Sequence, residues 1–310
     1  MISSGRPVGD LKIGLILPLF SGDPARVLEV AVRAERLGYD GVFVFDHLFP
    51  PGAPSDRPSL EAFATLAAVA ASTRRITLGT LVTRASLRPA GMIAKLGAAL
   101  DDISRGRMVL GIGTGDAIDL PEHETYGIPY LGREDRRRHL VETVRAVKAL
   151  FAGREWEGGD LVPPLAGPVL PRPVTPGGPP VWIGGFTETV VRIAAGEADA
   201  WNGWGMSIPE FAERVRVLRT SAEEAGREVE ATWAGIVVVG RTDDEAGALL
   251  ARRSRLGFLE TNVWVGSGDS LVQWLSGLRE VGATWAVLVA AGPPDRIDLI
   301  AETVLPRVRT

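Results

Sequence analysis

With 310 residues, 45% of them apolar, and a net charge of -4, the chain can bury a large core and carries no excess of cations. No dense Lys/Arg run marks a nucleic-acid surface, and the lack of cysteine excludes disulfides, thiolate metal sites and a cysteine nucleophile. No apolar run approaches the roughly 20 residues of a membrane span, and residues 1–10 (MISSGRPVGD) lack the apolar core of a signal peptide, so a soluble, cytoplasmic protein with a flexible tail over 1–10 is expected.

Lys12 to Pro18 (KIGLILP) reads as a first strand. Ala25 to Leu37 then places Val27, Val30, Ala31, Ala34 and Leu37 on one helical face, and Gly38 marks the stop. Gly41 to His47 (GVFVFDH) is strand two, a continuous apolar run of the kind buried on both faces, ending in an acid and an imidazole where it would meet solvent. Ser59 is expected to cap an Ala-rich helix over 59–72; Ile76 to Val82 (ITLGTLV) is strand three. Pro89 opens the helix PAGMIAKLGAALDDIS, and Arg107 to Gly113 (RMVLGIG) is strand four. An amphipathic helix over Arg133 to Phe151 precedes a Pro/Gly-rich excursion at 155–180, too long for an ordinary connection and therefore a surface hairpin or a lid. Strands follow at Pro180–Gly185, Asp199–Gly203, Ala231–Gly240 and Thr284–Ala290, with helices over 188–195, 209–225, 243–256, 270–281 and 296–305.

Eight strands alternating with helices predict one α/β domain over 1–310, a (β/α)8 TIM barrel with an insertion around 155–180. An open Rossmann sheet is disfavoured because LPLFSGD after strand one holds no GxGxxG, and GIGTGD at 111–116 follows strand four with no helix directly behind it. In a barrel the carboxyl ends of the strands share one mouth. That places together Asp46 and His47, Thr80, Leu81 and Thr83, Thr114, Asp116 and Asp119, Gly184 and Gly185, and Trp201, Asn202 and Trp204. A single imidazole falls short of a transition-metal site, so no metal is expected, and no GxSxG elbow supports a hydrolase. On their own, Asp46 and His47 are equally a loop cap and a satisfied surface residue; as part of this set they suit a flat, polar-edged ligand, with His47 placed to move a proton. His123 and Glu124 read as loop polarity, and REDRRRH at 133–139 as a solvated helix start.

The stretches GYDGVFVFDHL (38–48), ITLGTLVT (76–83), GRMVLGIGTGD (106–116), PPVWIGG (179–185) and EADAWNGW (197–204), in this order, resemble the bacterial luciferase-like flavin oxidoreductase superfamily over essentially the whole chain. GTGDAID at 113–119 and the Asp46–His47 pair are similar to its branch that uses coenzyme F420, a deazaflavin. The resemblance implies an F420-dependent oxidoreductase moving a hydride between the deazaflavin and an organic substrate, with His47 as acid/base and Asp116 orienting the substrate. It implies that Asp46 hydrogen-bonds the deazaflavin, that Thr80–Leu81 form a bulge with a non-proline cis peptide, and that Thr83, Thr114 and Asp119 contact the cofactor. Gly184 and Gly185 would take its phosphate on backbone N–H groups, as glycines leading into a helix can.

The sugar-phosphate dehydrogenases of that branch carry Glu at Asp116, Asn at Asp119, a tryptophan near Phe49, Pro50 and Pro51, and a lysine around 206–209, where this chain has none. A small-molecule substrate that is non-phosphorylated and more apolar is therefore expected, with Phe49, Trp201 and Trp204 lining its pocket, and with Trp182 and Trp285, in mid-strand, in the core. An FMN-dependent monooxygenase and a catalytically silent flavin-binding barrel are the alternatives. Relatives in the superfamily pair through helices near strands two and three, which implies a homodimer using the Ala-rich helix.

Overall fold

All nine strands of the sheet run parallel to their neighbours, the arrangement that continuous Val/Ile/Leu runs separated by helices demand. The structure, a computed structural model, describes residues 10–51, 56–253 and 262–308. Of the expected tail, only Asp10 lies among them. The chain runs β1 (Lys12–Ile16), α1 (Pro24–Leu37), β2 (Gly41–Val44), α2 (Ala62–Ser72), β3 (Thr77–Arg84), α3 (Ala90–Ser104), β4 (Met108–Gly113), α4 (Leu120–Tyr126) and α5 (Arg133–Phe151). It continues through β5 (Val181–Gly184), α6 (Glu188–Glu197), β6 (Ala200–Trp204), α7 (Ile208–Glu224), β7 (Glu230–Gly240), α8 (Asp243–Arg253), β8 (Val263–Ser267), α9 (Gly268–Glu280), β9 (Ala283–Ala291) and α10 (Arg296–Thr303). Strands β1 to β7 pair in sequence, and β9 closes the ring between β7 and β1, giving an eight-stranded (β/α)8 barrel.

β8 is an addition that the sequence reading missed. It pairs only with the far half of β7, Ile236–Gly240, beyond the point where β6 has ended at Ala234. The expected helix over 243–256 is described as far as Arg253, and its last three residues lie outside the described part.

Side-chain alternation divides the apolar material in two. Phe43, Trp182, Ala200, Ala234, Trp285 and Val287 point into the barrel, where Phe43 stacks on Trp182 with centroids 5.4 Å apart and meets Trp285 edge-on at 5.7 Å. Val42, Val44, Ile183, Trp201, Ala286 and Leu288 point outward against the helices. The core placement expected for Trp182 and Trp285 is therefore borne out: they fill the barrel interior.

Local signals set the helix ends. Asp23 starts α1, its carboxylate accepting from the N–H groups of Ala25 and Arg26 at 3.0 and 3.3 Å, and Gly38 ends it at φ +88°. Asp23→Ala should cost about 1 kcal/mol, read as a lower urea midpoint at unchanged slope. Glu61, not Ser59, caps α2 by accepting from the N–H of Ala64 at 2.6 Å. The Ser59 hydroxyl donates instead to the carbonyl of His47 at 2.7 Å, tying the loop after β2 to itself.

The 155–180 excursion is a hairpin and not a lid over the mouth. α5 descends from the mouth and β5 begins at the opposite face, so the connection starts and ends there, while its turn climbs the outer faces of α3 and α5 as far as Ala90 and Arg138. Trp156 and Leu165 form an antiparallel bridge within it. It is pinned to the outer helices: Glu142 of α5 accepts from the N–H groups of Leu161 and Val162, both at 2.8 Å, and Asp101 of α3 accepts from the N–H and hydroxyl of Thr175, both at 2.8 Å. Among the described residues, no helix is long and apolar enough to cross a membrane.

Candidate active site

His47 stands just past the end of β2, its side chain 23% exposed, on the barrel-facing parity of Phe43 and Phe45. Its Nδ1 lies 2.7 Å from Oε1 of Glu122, a carboxylate of α4 that is 1% exposed. The other oxygen of Glu122 accepts from the N–H of Leu48 and from Nη2 of Arg84, each at 2.6 Å. Asp119 completes the group, 3.7 Å from His47 Nδ1 and 3.3 Å from Arg84 Nη1. Burial acts to raise the Glu122 carboxyl. The hydrogen bond and charge of His47, the N–H of Leu48 and the charge of Arg84 together outweigh it and hold the group below the usual carboxylate range.

His47, Asp119 and Glu122 bring one ligand atom each within 4.8 Å of the others, a spacing a cation would accept. Arg84, 3% exposed, already supplies the positive charge at both carboxylates, while its Nε and Nη1 find no hydrogen-bond acceptor. What the arrangement does for chemistry is to fix the imidazole. A carboxylate on Nδ1 selects the tautomer protonated there and leaves Nε2 to exchange a proton with a ligand in the mouth.

Asp46 is 2% exposed and faces the other way. It accepts from the Thr83 hydroxyl at 2.6 Å and is bridged by Arg88 at 2.5 and 3.2 Å; Arg88 also holds Glu61 at 2.5 Å. Burial would lower Arg88, but the hydrogen bonds and charges of Asp46 and Glu61 raise it above its ordinary value. Thr80 is fully buried and bonded both ways to Gly111, donating to its carbonyl at 2.8 Å and accepting from its N–H at 3.0 Å. Asp46, Thr80 and Thr83 are thus struts at the ends of β2 and β3, with their side chains engaged by protein partners.

The ladder between β3 and β4 shifts register between Thr80 and Thr83, and the non-proline cis peptide joins Leu81 to Val82, beside the expected bulge. Leu81 is buried with the barrel-interior cluster, and Val82 packs partly buried against it. A Cβ added at Gly113 would come within 2.6 Å of Val82, and one at Gly184 within 2.9 Å, so only glycine lets β4 and β5 end flush against the bulge. Thr114 is part-exposed beside them.

Asp116 is exposed on the rim. Its carboxylate caps a short turn by accepting from Ile118 N–H at 2.8 Å, and it lies outside the group around His47. Its own N–H donates to Asp119 at 2.8 Å. The N–H of Gly185 continues the sheet, donating to the carbonyl of Asn202 at 3.1 Å. The first turn of α6 adds the N–H groups of Glu188 and Thr189, which a helix start leaves without a partner inside the helix.

The pocket residues are redistributed. Phe49 is buried at 4% exposure. Trp201 is fully buried on the outer side of β6, stacked on Phe211 at 5.4 Å, with its indole N–H donated to the carbonyl of Gly185 at 2.7 Å. Trp204, of inward parity, reaches the mouth and meets Phe45 edge-on at 5.5 Å. Phe45 in turn stacks on Phe20 at 6.1 Å and lies 6.3 Å from the His47 ring, which Phe20 approaches at 6.4 Å. His123, expected as loop polarity, is 2% exposed, its Nδ1 3.0 Å from the carbonyl of Pro129 and its ring edge-on to Tyr130.

A family profile described as luciferase-like monooxygenase matches residues 11–297. The F420-dependent glucose-6-phosphate dehydrogenases of Nakamurella multipartita and Kineococcus radiotolerans are 31% and 32% identical, over 67% and 70% of this chain. The match covers 60% and 64% of their own lengths, so the chain spans less than two thirds of these relatives. Among solved structures, an F420-dependent secondary alcohol dehydrogenase in complex with an F420–acetone adduct superimposes with TM-score 0.82 at 20% identity, covering 97% of this chain and 100% of that one. A long-chain alkane monooxygenase gives 0.80 at 15% identity, covering 97% and 91%. At such identities the likeness speaks for the fold.

Proposed function

We propose, on the premise that this chain belongs to the luciferase-like monooxygenase family, that it is an F420-dependent oxidoreductase acting on a non-phosphorylated organic substrate, with His47 as acid/base. The observation that carries the reading is the buried Glu122 carboxylate 2.7 Å from His47 Nδ1, which commits the ring's other nitrogen to the mouth. The sugar-phosphate dehydrogenases named above, and the alcohol dehydrogenase with its F420 adduct, support the choice of cofactor.

The residues present fit a flat deazaflavin. Gly113 and Gly184 keep the ends of β4 and β5 bare beside the bulge, and the first turn of α6 offers N–H groups to a phosphate. Leu81, Thr114, Gly184 and Gly185 would border the cofactor, with Asp46, Thr80, Thr83 and Asp119 holding that border rigid from behind. When bound, the deazaflavin supplies two-electron hydride chemistry. His47 gives or takes the proton at Nε2, Glu122 holds its ring and balances its charge, and Asp116 on the rim meets the substrate from the side of β4.

The cations at the end of β3 are already engaged. Arg84 and Arg88 are each held by two carboxylates, and the three lysines, Lys12, Lys95 and Lys148, lie at the start of β1 and on α3 and α5. A homodimer through α2 and α3 belongs to the same reading; it is supported by Met92 and Ile103, apolar and 50% and 49% exposed on α3.

Titration of the purified protein with F420 and with FMN, followed by fluorescence quenching, tests the reading. F420 should bind at least roughly tenfold tighter, a difference of about 1.4 kcal/mol. Tight FMN binding with no response to F420 would replace it with the monooxygenase alternative.

A further inference from the structure

The mouth has two unlike halves. The ends of β3, β4 and β5 carry glycines and hydroxyls, while those of β1, β2 and β6 carry Phe20, Phe45, His47 and Trp204. Phe45 is the centre of the second half, in ring contact with the other three at 5.5 to 6.3 Å. β2 and β6 are four strands apart in a ring of eight, so the Phe45–Trp204 contact spans the opening and roofs the interior filled by Phe43, Trp182 and Trp285. Phe20, Phe45 and Trp204 are each only half-buried, so their faces are offered to the mouth.

A half-buried cluster of this kind leaves apolar ring surface in water unless a ligand covers it. Its one titratable member, His47, sits at the edge with Nδ1 already engaged. We infer that this half of the mouth recognises a flat, uncharged aryl or cyclic carbonyl compound, or the corresponding alcohol. Its ring lies on Phe45 between Phe20 and Trp204, and its oxygen faces His47. The inference rests on the function proposed above and narrows its substrate class. Short-chain ketones offer no ring to this wall, and a sugar phosphate would have to strip water from its hydroxyls and charge to lie on it. Each well-placed ring pair adds roughly 2- to 10-fold in affinity beyond simple area burial.

The test uses the full-length protein in two forms. With F420 bound, KM is measured for acetophenone, cyclohexanone, acetone and glucose 6-phosphate, for wild type and for Phe45→Leu and Trp204→Leu. Without cofactor, binding of acetophenone and acetone is followed by ligand-observed saturation-transfer NMR. The expected result is an acetophenone KM at least roughly tenfold below that of acetone, raised about tenfold in either variant while the acetone KM moves less than about twofold. F420-linked turnover that favours acetone or glucose 6-phosphate, or variants that raise every KM alike, would overturn the substrate class and leave the cofactor reading standing. Acetophenone binding by NMR that is lost in Phe45→Leu, with no F420-linked turnover, would uphold the substrate class and overturn the cofactor reading. Should Phe45→Leu not fold, Trp204→Leu and the wild-type panel decide the matter.

Discussion

Replacing His47 by alanine is expected to lower kcat by roughly 10²- to 10⁴-fold, the range a positioned general acid or base contributes. The affinity for F420, measured by fluorescence quenching, should stay within about twofold, because the border assigned to the cofactor lies on β3, β4 and β5 and not on His47. Ring contacts with Phe20 and Phe45 are lost as well, so the folded fraction is to be checked by thermal melting. His47→Ala turning over at the wild-type rate would remove the imidazole from the mechanism and favour the catalytically silent barrel.

Glu122→Ala should be the most damaging change to the fold around the site. The carboxylate is buried against Arg84, so deleting it leaves a guanidinium with only Asp119, 3.3 Å away, to balance it. Breaking such a pair from one side costs about 3–5 kcal/mol, and the N–H of Leu48 loses its acceptor too. Glu122→Gln keeps the shape and an acceptor for His47 but removes the charge; it should lower kcat more than it raises KM, since it acts on the proton-transfer partner and not on the mouth. Because Glu122 titrates below its ordinary range in the folded protein, its ionised form stabilises the fold at neutral pH, and that contribution is lost as the pH falls through and below the usual carboxylate range. The melting difference between wild type and Glu122→Gln should accordingly be largest near neutrality and shrink in acid. A difference that grows as the pH falls would contradict the assignment.

The barrel was legible because eight apolar runs recur between helices, and a parallel sheet buried on both faces needs such runs. Which side chains face the mouth follows from a period of two. Phe43, Phe45 and His47 share one parity and Asp46 the other, so the histidine looks inward while the aspartate turns toward Thr83 and Arg88. The same count separates Trp204 from Trp201, a distinction that reading strand ends as a group could not make. Glu122 escaped because it sits in the long connection after β4, where no periodicity applies. Arg84 was the available clue: a cation at the end of a buried strand requires a carboxylate, and Asp119 and Glu122 are the ones that answer. β8 escaped because a five-residue strand, four of its residues half-buried, pairing on one side only leaves a weak pattern.

The later part of the 155–180 hairpin lies at the end of the barrel farthest from His47, where Asp101 near the end of α3 holds Thr175. Chemistry and scaffold therefore have separate addresses in this molecule. A fusion partner or a solid support attached through the exposed stretch 170–177 would meet the barrel from below, and ligands would still enter from above without obstruction.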